Sequence, residues 1–95
     1  MSIQLHVIRV KYKIQEAIMQ EFSKNLKTSL KAKKMSQQKL ANHLGTTQQT
    51  VSRWLIGINE PDLTTLVEIC KYLDETPNDL LGYEEIKIKE KKIKK

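Results

Sequence analysis

The stretch from residue 37 to residue 56, QQKLANHLGTTQQTVSRWLI, constrains this chain more than any other. Its apolar and small positions are Leu40, Ala41, Leu44, Gly45, Val51, Trp54 and Leu55. Before Gly45 the leucines fall four apart; after it Val51, Trp54 and Leu55 follow at offsets of three and four. Each spacing gathers its apolar residues on one stripe of a helix, so two short amphipathic helices meet at a corner. Gly45 can take a positive φ and end the first of them in a left-handed cap. Thr46 or Thr47 then supplies a hydroxyl to cap the second. Ala41 is small where the helices would cross most closely. The pattern is a helix-turn-helix. Gln48, Gln49, Ser52 and Arg53 face outward on its second helix, and their groups can read base edges or grip phosphates.

Charge is distributed unevenly around that motif. The chain of 95 residues has a formal net charge of +6 and a length that fits one domain. Residues 21–57 hold Lys24, Lys27, Lys31, Lys33, Lys34, Lys39 and Arg53 against Glu21 alone, a net +6. Residues 58–82 hold Lys71 against Glu60, Asp62, Glu68, Asp74, Glu75 and Asp79, a net −5. The basic field sits where a polyanion would dock. The single Cys70 cannot form an intramolecular disulfide, and on an apolar helix face it reads as a small hydrophobe. That suits a reducing compartment. No apolar run reaches membrane-spanning length, and the first residues lack the charge order of a signal peptide. The expected location is the cytoplasm, with no membrane partner.

Taken in order, the chain divides into an arm at 1–14, a helical domain at 15–82 and a basic tail at 83–95. In the arm Ile8, Val10, Tyr12 and Ile14 alternate with Arg9, Lys11 and Lys13. Period two and β-branching predict a strand. A competing count, Ile3, Val7, Val10, Ile14 and Ala17, suits a helix. Residues 15–34 predict a first helix, with Ile18, Phe22, Leu26 and Leu30 recurring every four. Ser36 caps a second helix at 37–44, and a third runs over 48–56 and stops at Gly57. Asp62 caps a fourth at 63–73, whose apolar face is read as Leu63, Leu66, Val67, Cys70 and Leu73. Thr76-Pro77-Asn78-Asp79 opens a fifth with a hydroxyl cap, proline first and an acid third. Leu80 and Leu81 complete the core, and Gly82 ends it. Ile86 and Ile88 alternate with Lys87 and Lys89, so the tail reads as a short strand followed by a basic, frayed end. Lone strands in water are unstable, so the two arms are expected to pair with each other or across a dimer. The expected fold is mainly α, a five-helix repressor-like domain with strand arms at both ends.

SQQKLANHLGTTQQTVSRWLIG, followed by Pro61 and an apolar helix, resembles the DNA-binding domain of the lambdoid phage repressor and Cro proteins. It is equally similar to the xenobiotic-response-element class of small bacterial regulators. The resemblance covers roughly residues 22 to 82. It implies that Gln37, matching the family's glutamine at the start of helix 2, grips the DNA backbone and braces Gln48. TTQQ matches the start of one lambdoid recognition helix, which implies base reading by Gln48 and Gln49. Ser52 and Arg53 lie where the family varies; Arg53 reads a base or holds a phosphate. Thr47 belongs to the same contact set, and Asn59 in the following loop is a phosphate candidate. Trp54 falls where the family keeps a large core residue, which argues against nucleobase stacking. Many relatives pair an Arg of helix 1 with a Glu late in helix 3. The matching positions here are Leu30 and Leu55, which are expected to touch in the core.

The residues offer little for other chemistry. His6 and His43 have no companions at metal-ligand spacing, and His43 reads as a surface residue. No nucleophilic triad, phosphate-cradling glycine loop or inward carboxylate pair is present in the sequence. The expectation is therefore no enzyme, no cofactor and no metal. Three functions fit: a sequence-specific regulator that represses as a homodimer on double-stranded DNA; an antitoxin that binds a toxin protein and represses its own operon; or a protein-interaction module.

Overall fold

No glycine or proline precedes Gly45, and the first helix uses that freedom fully. In a computed structural model the backbone is described for residues 2–94 and side chains for residues 13–88. Helix α1 spans Ser2–Ala32. It ends where Lys34 turns into the left-handed region at φ 52° and Met35 N–H donates to the Leu30 carbonyl at 2.9 Å. Helix α2 is Gln37–Leu44, α3 is Gln48–Ile56 and α4 is Leu63–Leu73. Helix α5 is Pro77–Leu81 and α6 is Tyr83–Lys94.

The predicted caps are in place. Ser36, Thr47, Asp62 and Thr76 each accept a backbone N–H three residues on, from Lys39, Thr50, Thr65 and Asp79. Each satisfies one of the unpaired donors at a helix start. The Thr65 N–H also holds the Asp62 carboxyl below its ordinary range. Gly45 at φ 71° closes α2, and its left-handed turn makes the helix-turn-helix corner. Asp74, at φ 54°, closes α4 without a glycine.

The strand arms are not strands. Residues 3–14 belong to α1 and residues 84–89 to α6, so the fold has six helices and no strand among the described residues. The helical count through Ile3, Val7, Val10, Ile14 and Ala17 describes the arm, not the alternation. An arm continuous with a formed helix needs no new nucleus, and extending it adds a backbone bond per residue. β-branched propensity is too weak to offset that without a partner strand. In the tail, Gly82 ends α5 at φ 66°, and Glu84 and Glu85 fall in the first turn of α6. Acids there favour the positive end of the helix dipole. Helix α6 packs against α1.

Helices α1 and α3–α5 surround one core with α2. Leu26, Leu40, Val51, Ile69, Leu73 and Leu80 are its fully enclosed large side chains. Phe22, Ala41, Trp54 and Cys70 are buried with them, as are Leu30 and Leu55. Hydrocarbon thus occupies both positions where the family resemblance implies an ion pair. Helix α4 departs from its predicted face. Ile69 is fully buried, whereas Leu63 is 81% exposed and Val67 47% exposed. Leu66, Ile69, Cys70 and Leu73 form the buried stripe, rotated by about an eighth of a turn from the reading that included Leu63 and Val67.

Candidate nucleic-acid interface

The outer face of α3 is built from its first two turns. Thr47, at the cap, holds the first turn through the Thr50 N–H, and its hydroxyl lies 3.0 Å from that of Thr50. Gln48 and Gln49 follow as the first two helical residues, both exposed. Ser52 is half-buried and Arg53 exposed one turn on. Val51, Trp54 and Leu55 point the opposite way into the core, which fixes the rotation of the helix. Trp54 is buried, as its spacing predicted, and is no stacking platform.

The other sequence-selected residues lie on the elements that flank α3. Gln37 begins α2 and is half-buried. Two residues on, Lys39 is exposed. Gln38, by contrast, spends its amide on Asn42 Oδ1 at 2.8 Å. Asn59 is exposed in the loop after α3, beside Thr50 and Trp54 in one shallow groove. The sequence-selected residues lie at the N-termini of α2 and α3, along the outer face of α3 and in the loop after it. Both N-termini offer backbone N–H groups and a partial positive charge to an anion.

The electrostatic setting has one refinement that composition alone could not give. Lys24, Lys27, Lys31, Lys34, Lys39 and Arg53 are exposed. Lys33 is committed elsewhere, with Nζ 2.7 Å from Glu75 Oε2. Lys24 lies 3.6 Å from Glu21 Oε2. The basic region thus offers fewer free cations than its count of lysines suggests.

Two supports of the surface escaped the sequence reading. Ser23, buried on α1, donates its hydroxyl to the Trp54 carbonyl in the last turn of α3. His43, exposed on α2 as expected, stacks on Tyr72 of α4 with centroids 3.7 Å apart and rings 11° from parallel. A serine beside a phenylalanine and a histidine 29 positions from a tyrosine leave no periodic signal. Among the described residues no cluster of metal-ligating side chains occurs, and no helix is long and apolar enough to cross a membrane.

The model of the Cro/C1-type helix-turn-helix DNA-binding domain matches residues 25–85. The chain belongs to that family. Two relatives from Bacillus subtilis (strain 168) share it. One, named as the uncharacterized HTH-type transcriptional regulator YqaE, is 42% identical over 60 residues, covering 63% of this chain and 52% of the relative. The other, named as the SPbeta prophage-derived uncharacterized HTH-type transcriptional regulator YonR, is 38% identical over 60 residues, covering 63% of this chain and 56% of the relative. The chain therefore spans about half the length of these relatives. No solved structure matches. The Cro/C1-type match begins within α1 and ends within α6, so the N-terminal three-quarters of α1 and most of α6 lie beyond it.

Proposed function

We propose that this chain binds double-stranded DNA sequence-specifically through α3 and acts as a transcriptional repressor, working as a dimer on a two-fold site. The observation that carries the reading is the exposed set Gln48, Gln49, Ser52 and Arg53 on a helix whose other face is locked into the core. In this arrangement the N-terminal end of α3 enters the major groove most deeply. Gln48 and Gln49 meet base edges, where a carboxamide can pair bidentately with adenine. Arg53 reads a guanine or holds a phosphate one turn along. Gln37, Thr47 and Asn59 fix the register against the DNA backbone. Lys31, Lys34 and Lys39 supply charge that any duplex would feel. Family membership and the regulator names of both relatives support the regulatory role.

Selection of bound duplexes from a random pool tests this directly. The expected result is an enriched two-fold motif with half-sites about one helical turn apart, containing adenine at a position read by glutamine. Affinity should fall steeply with added salt as phosphate counterions are released. A pool that remains unenriched, with no salt-dependent binding, would remove the reading.

A further inference from the structure

The last turn of α3 is anchored from outside the helix. The carbonyls at a helix end lack partners further along it. The left-handed turn at Gly57 serves two of them in α3. Gly57 N–H donates to the Arg53 and Trp54 carbonyls at 3.1 and 3.2 Å, and Ile58 N–H donates to Arg53 at 3.0 Å. The Trp54 carbonyl thus has a backbone donor of its own. The buried Ser23 hydroxyl of α1 donates to it as a second partner.

A bond that the carbonyl does not need for satisfaction says something about position. Val51, Trp54 and Leu55 pack into the core and decide which side of α3 turns inward. Apolar contact is non-directional, whereas a hydrogen bond fixes a distance and an angle. At the other end of α3 the Thr47 bonds to Thr50 lie within the first turn. On α1, Lys24 and Lys27 follow Ser23 and are exposed. With Ile56 and Ile58 they line the groove between α1 and the end of α3. Ile56 is 67% exposed and stands three residues after Arg53 and seven after Gln49, on the outer stripe of α3. That stripe therefore ends at the groove the two lysines line, and Ser23 bridges the two helices beneath it.

We propose that Ser23 is a positioning residue for base reading: its bond to the Trp54 carbonyl sets the last turn of α3, with Ser52 and Arg53, against the helix that carries Lys24 and Lys27. Phosphate contacts place a protein on the duplex and base contacts read it. The two sets must then be held relative to one another to about 0.5 Å. Removing the hydroxyl leaves every charge, the apolar core and the Gly57 bond to Trp54 in place, and frees the last turn to tilt. Gln48, about 9 Å away along the axis, moves least. The role rests on DNA binding through α3 and deepens it, by making α1 a determinant of specificity.

The experiment measures affinity of the full chain for the duplex that wild type selects, for each single-base variant of it, and for an unrelated duplex of equal length. Ser23→Ala should bind the selected duplex about three- to tenfold more weakly, the scale of one hydrogen bond, and the unrelated duplex equally well. The base pairs it relaxes should lie apart from those that Gln48→Ala relaxes. Ser29→Ala is the control. It removes another buried hydroxyl of α1, one bonded to Glu75, and should lower the thermal midpoint without altering sequence preference. Both variants are assayed well below their thermal transitions, so that folded protein is compared with folded protein. An unchanged ratio of selected to unrelated affinity, an equal fall in both, or the same profile change from Ser29→Ala would each overturn the proposal. A wild type that prefers no sequence removes the DNA-binding reading and this role with it. A clear wild-type preference that Ser23→Ala retains in full removes this role alone.

Discussion

Lys33 Nζ and Ser29 Oγ both lie 2.7 Å from Glu75 Oε2, tying the end of α1 to the turn after α4. One carboxylate oxygen thereby accepts from a cation and from a buried hydroxyl. The Lys33 bond first, and the Ser29 bond next, hold the Glu75 carboxyl below its ordinary range. A lowered folded pKa means that the contribution is full above the unfolded value, about 4.3, and is lost as pH falls through the folded value. Glu75→Gln should cost about 1–2 kcal/mol at neutral pH, at the low end because Lys33 remains a third exposed. Denaturant midpoints of the two proteins should converge on acidification below about pH 4. A difference that stayed constant through that range would show that the charge contributes nothing.

Leu30 and Leu55 are buried in one cluster, at the two positions where the resemblance to the lambdoid family implies opposite charges. Replacing a buried pair with hydrocarbon removes the desolvation cost of both charges. Returning only one charge is the unfavourable case. Leu55→Glu should destabilise the domain by roughly 3 kcal/mol or more, because a carboxylate would be stranded without a partner. Adding Leu30→Arg should recover part of the loss. Thermal melts of the single and double variants test the pair, and an unmoved midpoint for Leu55→Glu would rule out this core.

Gly82 and Gly45 separate strain from crowding. Both have positive φ, 66° and 71°, so a side chain at either carries the left-handed cost of roughly 1 kcal/mol. At Gly45 an added Cβ meets nothing within 4 Å. At Gly82 it would lie 3.0 Å from Glu21 Cβ and 3.2 Å from Asn25 Nδ2. That asparagine donates to the Asp79 and Leu80 carbonyls at 3.0 and 3.2 Å, so it cannot withdraw freely. Gly82→Ala should therefore cost about 1 kcal/mol or more beyond Gly45→Ala. Equal losses in urea titrations would mean that the α5–α6 turn yields without resistance.

The helical core was legible because its signals are local. Caps at Ser36, Thr47, Asp62 and Thr76 and stops at Gly45 and Gly57 were readable within four residues of each site. The arms were misread because Ile8–Ile14 satisfies two periods at once, and continuity with α1 decided between them. On α4 the sequence could not say whether Leu63 and Val67 or Ile69 faces inward; all are apolar, and the orientation depends on α2 and α5. In the candidate DNA-binding surface, residue identities and spacing singled out Gln37, Gln48, Gln49 and Arg53. Ser23 beneath Trp54 and Lys33 on Glu75 join residues 31 and 42 apart, which no local pattern encodes.

Base reading by α3 makes the sharpest prediction. Gln48 is exposed at the first position of the helix, held by the Thr47 cap. Its carboxamide can accept from adenine N6 and donate to N7. Gln48→Ala should cost about 1–3 kcal/mol on the selected site and relax discrimination at one base pair. Non-specific affinity should barely change, since it rests on neutralised phosphates. Lys39→Ala should do the opposite, weakening binding to every sequence and lowering the salt slope by about one. Lys33→Ala should leave the salt slope unchanged, because that cation is already bound to Glu75. The measurement is affinity for every single-base variant of the selected site, with wild type and Gln48→Ala side by side. An identical preference profile for both proteins would remove Gln48 from base reading and leave specificity with Gln49 and Arg53.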